Sequence, residues 1–280
     1  ILPFIVGNLV FFVFPVVFSL YISFTKWDMF NPPRWIGLKN WINSFTNKAF
    51  WLSFRNMFFF AIIFVSLQTI FALIVAYLLN QKIRGKVLYR LLYFLPVITP
   101  WVAGVIVWQS LYGYNYGIIN YVLRSLGLPG SYWTDSDNWM VAFASVAIMN
   151  VWKGMGQSMV IFLAGLQNVP AEVIEAAHID GASARQIFLR VITPIISPVV
   201  FMVVMLSTIS AFTAFDLFFT AFGVYAPDWK LVINMLVYRE AFVYSKMGPA
   251  SAMAWALFVV ILIITLIQKH FEKRWVHYEN

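Results

Sequence analysis

Long uncharged stretches dominate the chain. Residues 1–25, 56–81, 91–123, 191–215 and 247–268 contain no Asp, Glu, Lys or Arg, and residues 139–166 contain only Lys153. A helix needs about 20 apolar residues to cross a bilayer, so each stretch is long enough. The runs are too long for strands, and they do not alternate between polar and apolar positions. The pattern predicts an all-α membrane protein with about six transmembrane helices, over residues 1–24, 56–80, 90–112, 139–166, 193–219 and 249–269. No β architecture is expected. The apolar segment 217–226 is short, and is expected to extend the fifth helix or to dip into the membrane interface. Residues 1–280 are read as one transmembrane domain.

Composition agrees. Of the residues, 62% are hydrophobic and 11% charged, about half the charge of a soluble domain. That leaves too few charged groups to cover a water-facing surface. Phe (28) and Trp (12) are abundant, as expected for rings in lipid or at its interface. Without cysteine neither a disulfide framework nor a thiolate metal site can form. The net charge of +8 does not point to nucleic acid, because the basic residues lie between apolar runs and not in one patch. The chain opens at Ile1 inside an apolar stretch, so a further N-terminal segment is expected. The stretch does not read as a signal peptide, being long and without a small-residue cleavage site.

Orientation rests on the segment 80–90, which carries Lys82, Arg84, Lys86 and Arg90 and no acid. A short loop this basic stays in the cytosol. Loop 167–192 and both termini are then cytosolic as well. Loop 25–55, also rich in Lys and Arg, pulls the other way.

The segment after the fourth span, NVPAEVIEAAHIDGASARQIFLRVITPIISP from Asn168, is the most informative. Pro170 suits the start of a helix, where its missing N–H is not needed. Residues 171–178 favour helix, Asp180-Gly181 is a turn pair, and residues 182–191 suit a second short helix ended by Thr193-Pro194. Val173, Ile174 and Phe188, if exposed, form a docking surface; otherwise the segment is a solvated connector.

Glu175-Ala176-Ala177, Asp180-Gly181-Ala182, Ile187 and Pro194 together resemble the EAA motif of ABC-importer permeases. Similarity extends through Gly37-Leu38-Lys39-Asn40, Phe94-Leu95-Pro96, Pro100, Trp108, Gly117, Asn120 and the start of the last helix at Met247-Gly248-Pro249. The subfamily resembled is the maltose-permease type, which imports oligosaccharides. The resemblance implies a type I ABC-importer permease in a bacterial-type cytoplasmic (inner) membrane. It implies that residues 168–193 form a coupling-helix loop seated on the ATPase through Glu175, Ala176, Ala177, Asp180, Gly181 and Ala182. Implied partners are a second homologous permease subunit, two ATPase subunits that bind the ATP and Mg, an extracytoplasmic solute-binding protein and a saccharide.

The chain itself offers no catalytic chemistry. Gly85-Lys86 lacks the first glycine and the Ser/Thr of a phosphate-cradling loop. His178, His270 and His277 are widely spaced, and no cofactor is expected in this chain. In the fourth span, Asn150, Lys153, Gly154 and Gln157 fall at i, i+3, i+4 and i+7 and share one helix face. Lys153 lies about 14 residues from either end of that span, on the order of 20 Å at 1.5 Å per residue, too far to snorkel. A cation at that depth costs on the order of 3 kcal/mol and faces a polar cavity or a partner. One reading pairs it with an acid such as Asp216; the other makes it a solute contact. The resemblance favours the second, with Asn150, Trp152, Lys153, Gly154, Gln157, Ser210 and Thr213 around the solute. Ala211 and Ala214 depart from the maltose pattern, and Trp152 stacks on a sugar or packs in the core. A carboxylate-bearing saccharide such as a uronate oligosaccharide would offset the cost of Lys153. The alternative function is a self-sufficient secondary transporter or channel with Lys153 in an ion relay, which has no need of the 168–193 loop.

The orientation is testable because the chain has no native cysteine. A membrane-impermeant thiol reagent outside intact cells is expected to label Ser131→Cys and to miss Gly85→Cys and His277→Cys. Outside labelling of Gly85→Cys would invert the topology.

Overall fold

The computed structural model describes residues 2–81 and 83–275, with side chains described to Glu272; Lys82 and His277 lie outside that range. Among the described residues four helices are long and apolar enough to cross a membrane, and six if each of two sharply bent pairs counts as one span. The helices are α1 (Leu2–Ser23), α2 (Lys39–Thr46), α3 (Lys48–Asn80), α4 (Lys86–Ile98), α5 (Trp101–Tyr112), α6 (Ile118–Ser125), α7 (Trp139–Gln167), α8 (Ala171–Ile179), α9 (Ala184–Ile195), α10 (Ser197–Thr213), α11 (Asp216–Phe222), α12 (Ile233–Tyr238) and α13 (Met247–Trp275). One two-residue antiparallel pair, β1 (Thr25–Lys26) with β2 (Arg34–Trp35), lies between α1 and α2.

Three expectations are corrected. The third span is not continuous: α4 and α5 meet at a 103° bend around Thr99-Pro100, because Pro100 removes an amide and drives Thr99 to extended backbone. The fifth span does not run to residue 219. Its α9 and α10 portions bend by 72° at Ile196, α10 ends at Thr213, and α11 is a separate short helix. Thr193-Pro194 does not end the second helix of the segment after α7. A π turn over Ile187–Ile192 precedes it, and the wider ring relieves the proline; Thr193 Oγ1 donates to the Phe188 carbonyl at 2.7 Å.

The chain forms two compact units. The first comprises residues 1–58 and 213–262. Here buried amides tie irregular backbone to helices. Asn40 Nδ2 donates to the carbonyls of Ser23 (2.9 Å) and Thr25 (2.8 Å). Asn56 Nδ2 donates to those of Trp229 and Leu231, both at 2.8 Å. Gly248, at the start of α13, sits where a Cβ would strike the Thr25 carbonyl. In the turn after β1, the Asn31 amide and its side chain, with the Phe30 amide, donate to Asp28 and hold its carboxyl below the ordinary range.

The second unit comprises residues 59–212 and those from 263 onward. Its core joins Ala72, Ala76 and Leu79 of α3 to Met159, Phe162, Leu163 and Leu166 of α7 and to Ile187, Ile192, Ile196 and Val203. Small residues allow the close approaches expected between membrane helices: a Cβ on Gly156 would collide with the backbone of Tyr93 and Phe94 in α4, and one on Gly165 would press on Val199 at 2.8 Å.

Gly156→Val should therefore drive α4 off α7 and lower stability by about 1–3 kcal/mol, read as a lower thermal midpoint of the purified protein. Gly7→Val, where nothing lies within 4 Å, should leave the midpoint unchanged.

Candidate functional site

The predicted polar face of α7 lines a cavity of about 360 Å³ in the second unit. Asn150, Lys153, Gly154 and Gln157 form one wall, and Ser207 and Ser210 of α10 face it. Gln68 of α3 and the α4–α5 junction at Val97 and Trp101 complete the lining. Two predicted residues fall elsewhere. The Trp152 ring packs edge-on against Trp108 at 5.9 Å, so it braces α5 against α7. Thr213 ends α10 and counts with the first unit.

Gln68 escaped the sequence reading, although a lone amide in the uncharged run 56–81 was a signal. It is 2% exposed, and Asn150 is 4% exposed. Gln68 Nε2 donates to Ser158 Oγ at 2.9 Å, and Gly154 leaves room for it, since a Cβ there would sit 3.0 Å from Nε2. Gln68 Oε1 has no partner, and neither has Asn150 Nδ2. The cavity thus holds one unused acceptor and one unused donor, both buried, and such groups are costly to leave unpaired. A hydroxyl, which both donates and accepts, can satisfy either.

Within its own unit Lys153 has backbone partners. Its Nζ donates to the carbonyls of Pro96 (3.2 Å) and Val97 (3.1 Å) and to that of Thr99, and lies 5.0 Å from the centre of the Trp101 ring. These carbonyls lie at the α4–α5 break, where that of Pro96 also accepts the Thr99 amide. Sequence spacing gives no hint of this, because the acceptors are backbone atoms of another helix.

The second candidate surface is the segment after α7. The amides of Gly181 and Ala182 donate back to the carbonyls of His178 (3.1 Å) and Ala177 (3.0 Å), closing α8. Gly181 takes φ +74°, a left-handed conformation that a side chain disfavours. Ser183 and Gln186 then form a capping box for α9. The expected docking surface is corrected in part. Ile174 and Phe188 pack inward on the core of the unit, Phe188 with its ring 4.6 Å from that of Tyr77, because short helices must bury an apolar stripe. Ala177 and Ala182 pack with them. Glu175, Ala176, Asp180 and Gly181 are exposed, Val173 is 40% exposed, and Ile179, not singled out from sequence, is 86% exposed.

Comparison with known proteins matches the family model described as "Binding-protein-dependent transport system inner membrane component" to residues 68–277. The probable ABC transporter permease protein YesP of Bacillus subtilis is 39% identical over 99% of this chain and 90% of its own. The trehalose/maltose transport system permease protein MalF of Thermococcus litoralis is 31% identical over 95% of this chain and 90% of its own. Among solved structures, a bacterial ABC transporter involved in the import of the acidic polysaccharide alginate superposes with a TM-score of 0.82 at 21% identity, covering 98% of this chain and 93% of that one. At that identity the likeness concerns the fold.

Proposed function

This chain belongs to the inner-membrane components of binding-protein-dependent transport systems, and from that premise we propose that it is the saccharide-conducting permease subunit of an ATP-driven importer. The observation that carries the saccharide reading is the α7 cavity, with its buried acceptor on Gln68 and donor on Asn150 both unused. Ring hydroxyls match this pair, and Gln157 and Ser210 supply further polar groups at the wall. The relatedness to a trehalose/maltose permease supports the same class. A second reading, a saccharide bearing carboxylates, is favoured by one observation: among the described residues no Asp or Glu lines the cavity, so Lys153 brings a net positive charge to its wall.

The chain has no phosphate-cradling motif, so ATP and Mg bind to two separate ATPase subunits in this reading. The exposed surface of α8 and its turn (Glu175, Ala176, Ile179, Asp180, Gly181) docks on them, Ile179 as an apolar knob and Glu175 as a partner for a cation. Solute is delivered by an extracytoplasmic binding protein, and a second homologous permease subunit completes the path. The self-sufficient transporter is set aside, because the family is one of transport-system components.

The test uses the complete transporter in lipid with its binding protein. Gly181→Leu and Ile179→Asp are expected to leave the permease inserted while abolishing solute-stimulated ATP hydrolysis or releasing the ATPase. Gln68→Leu and Asn150→Leu are expected to raise the solute concentration for half-maximal stimulation by about tenfold, the equivalent of one lost hydrogen bond. Unchanged stimulation in the first pair would remove the coupling assignment. An unchanged half-saturation in the second would remove the cavity as the solute site. Comparing neutral with uronate oligosaccharides in the wild-type transporter separates the two saccharide readings.

A further inference from the structure

Helical bonding fails at the junction of α4 and α5. Pro100 has no N–H, so the Pro96 carbonyl loses the i+4 donor of a continuous helix. The Thr99 amide reaches it at 3.2 Å, and the Gly104 amide resumes the ladder by donating to Pro100 at 3.1 Å. Between these points the chain bends by 103°. At membrane depth, carbonyls released in this way need donors from the protein or from a polar cavity. Lys153 reaches them from α7 and donates to three, those of Pro96, Val97 and Thr99. An ammonium has three protons and no acceptor, so its donors match the carbonyls one for one. Trp101, the first residue of α5, adds its ring face to the same charge.

We propose that Lys153 is a positioning residue: its ammonium staples the broken helix and fixes the bend that sets the Val97–Trp101 wall of the cavity. The effect on transport rests on the reading of that cavity as the solute site; the effect on the bend does not. Alanine in place of Lys153 removes a donor from each carbonyl, leaving that of Pro96 with the Thr99 amide alone, and α4 and α5 then shift until other donors meet the Val97 and Thr99 carbonyls. Arginine replaces lysine poorly, because a planar fork does not fit carbonyls grouped around a point charge.

The bend can be read directly. Leu91 and Val107, both exposed, lie on either side of the break. Spin labels at Leu91→Cys and Val107→Cys, in the complete transporter with cysteine-free partner subunits, report the distance across it by pulsed electron resonance. Lys153→Ala is expected to shift or broaden that distance. Added n-butylammonium, which supplies the missing ammonium, should restore it. Solute-stimulated ATP hydrolysis should fall about tenfold in its maximal rate and recover with the same amine, with little change in half-saturation. Should Lys153→Ala fail to assemble, Lys153→Gln, with two amide protons and no charge, should give an intermediate distance. A wild-type distance in the variant that assembles would overturn the proposal, and a raised half-saturation with it would make Lys153 a solute contact instead. If Gln68→Leu and Asn150→Leu leave half-saturation untouched while Lys153→Ala still moves the labels, the cavity reading falls and the staple stands.

Discussion

A backbone carbonyl that leaves a helix in a chain this apolar must find a donor from the protein itself. That constraint governs where the polar side chains of this permease are spent. Asn120 donates to the carbonyls of Tyr112, Gly113 and Ser131 and accepts from the Ser131 amide and the Trp133 indole. Asn40, Asn56 and Asn234 each hold carbonyls of connecting segments. Lys153 does the same for the α4–α5 break with a charge in place of an amide. Against this background, Gln68 Oε1 and Asn150 Nδ2 stand out. They are buried, line one cavity and serve no backbone group, which is the reason to assign them to a visiting molecule.

The same economy explains the segment after α7. Its apolar residues Ile174, Ala177, Ala182 and Phe188 are consumed in holding α8 and α9 to the core of the second unit. What remains outside includes Glu175, Ala176, Asp180 and Gly181, with the apolar Val173 and Ile179 beside them. The surface is therefore backed by α3 and α7, whose residues share that core and line the cavity. The left-handed turn at Gly181 sets the angle between the two short helices, and a sequence change there acts on geometry without removing any contact.

Much of this was legible in the sequence. Uncharged runs locate the spans because bilayer thickness fixes their length, and i, i+3, i+4, i+7 spacing put Asn150, Lys153, Gly154 and Gln157 on one wall. The helix breaks were not legible. The first follows from Pro100 acting on backbone bonds, and hydropathy is blind to a bend inside an apolar run; residues 91–123 look uniform although α4 and α5 part at Thr99-Pro100. The backbone contacts of Lys153 were not legible for the same reason, since a side chain can be matched to an acid by inspection but not to carbonyls exposed by a bend in another helix. Trp152 and Ile179 show the remaining gap: spacing assigns a face, while packing decides whether the face is covered.

The central claim is that this chain conducts a saccharide only when a separate ATPase turns over. Proteoliposomes holding the complete transporter, with binding protein and radiolabelled saccharide on the extracytoplasmic side, test it directly. Uptake is predicted to require ATP and Mg on the coupling-loop side, and to be absent when an imposed proton or sodium gradient is the only driving force. Accumulation driven by either gradient without ATP, or by this chain without its ATPase subunits, would contradict the account.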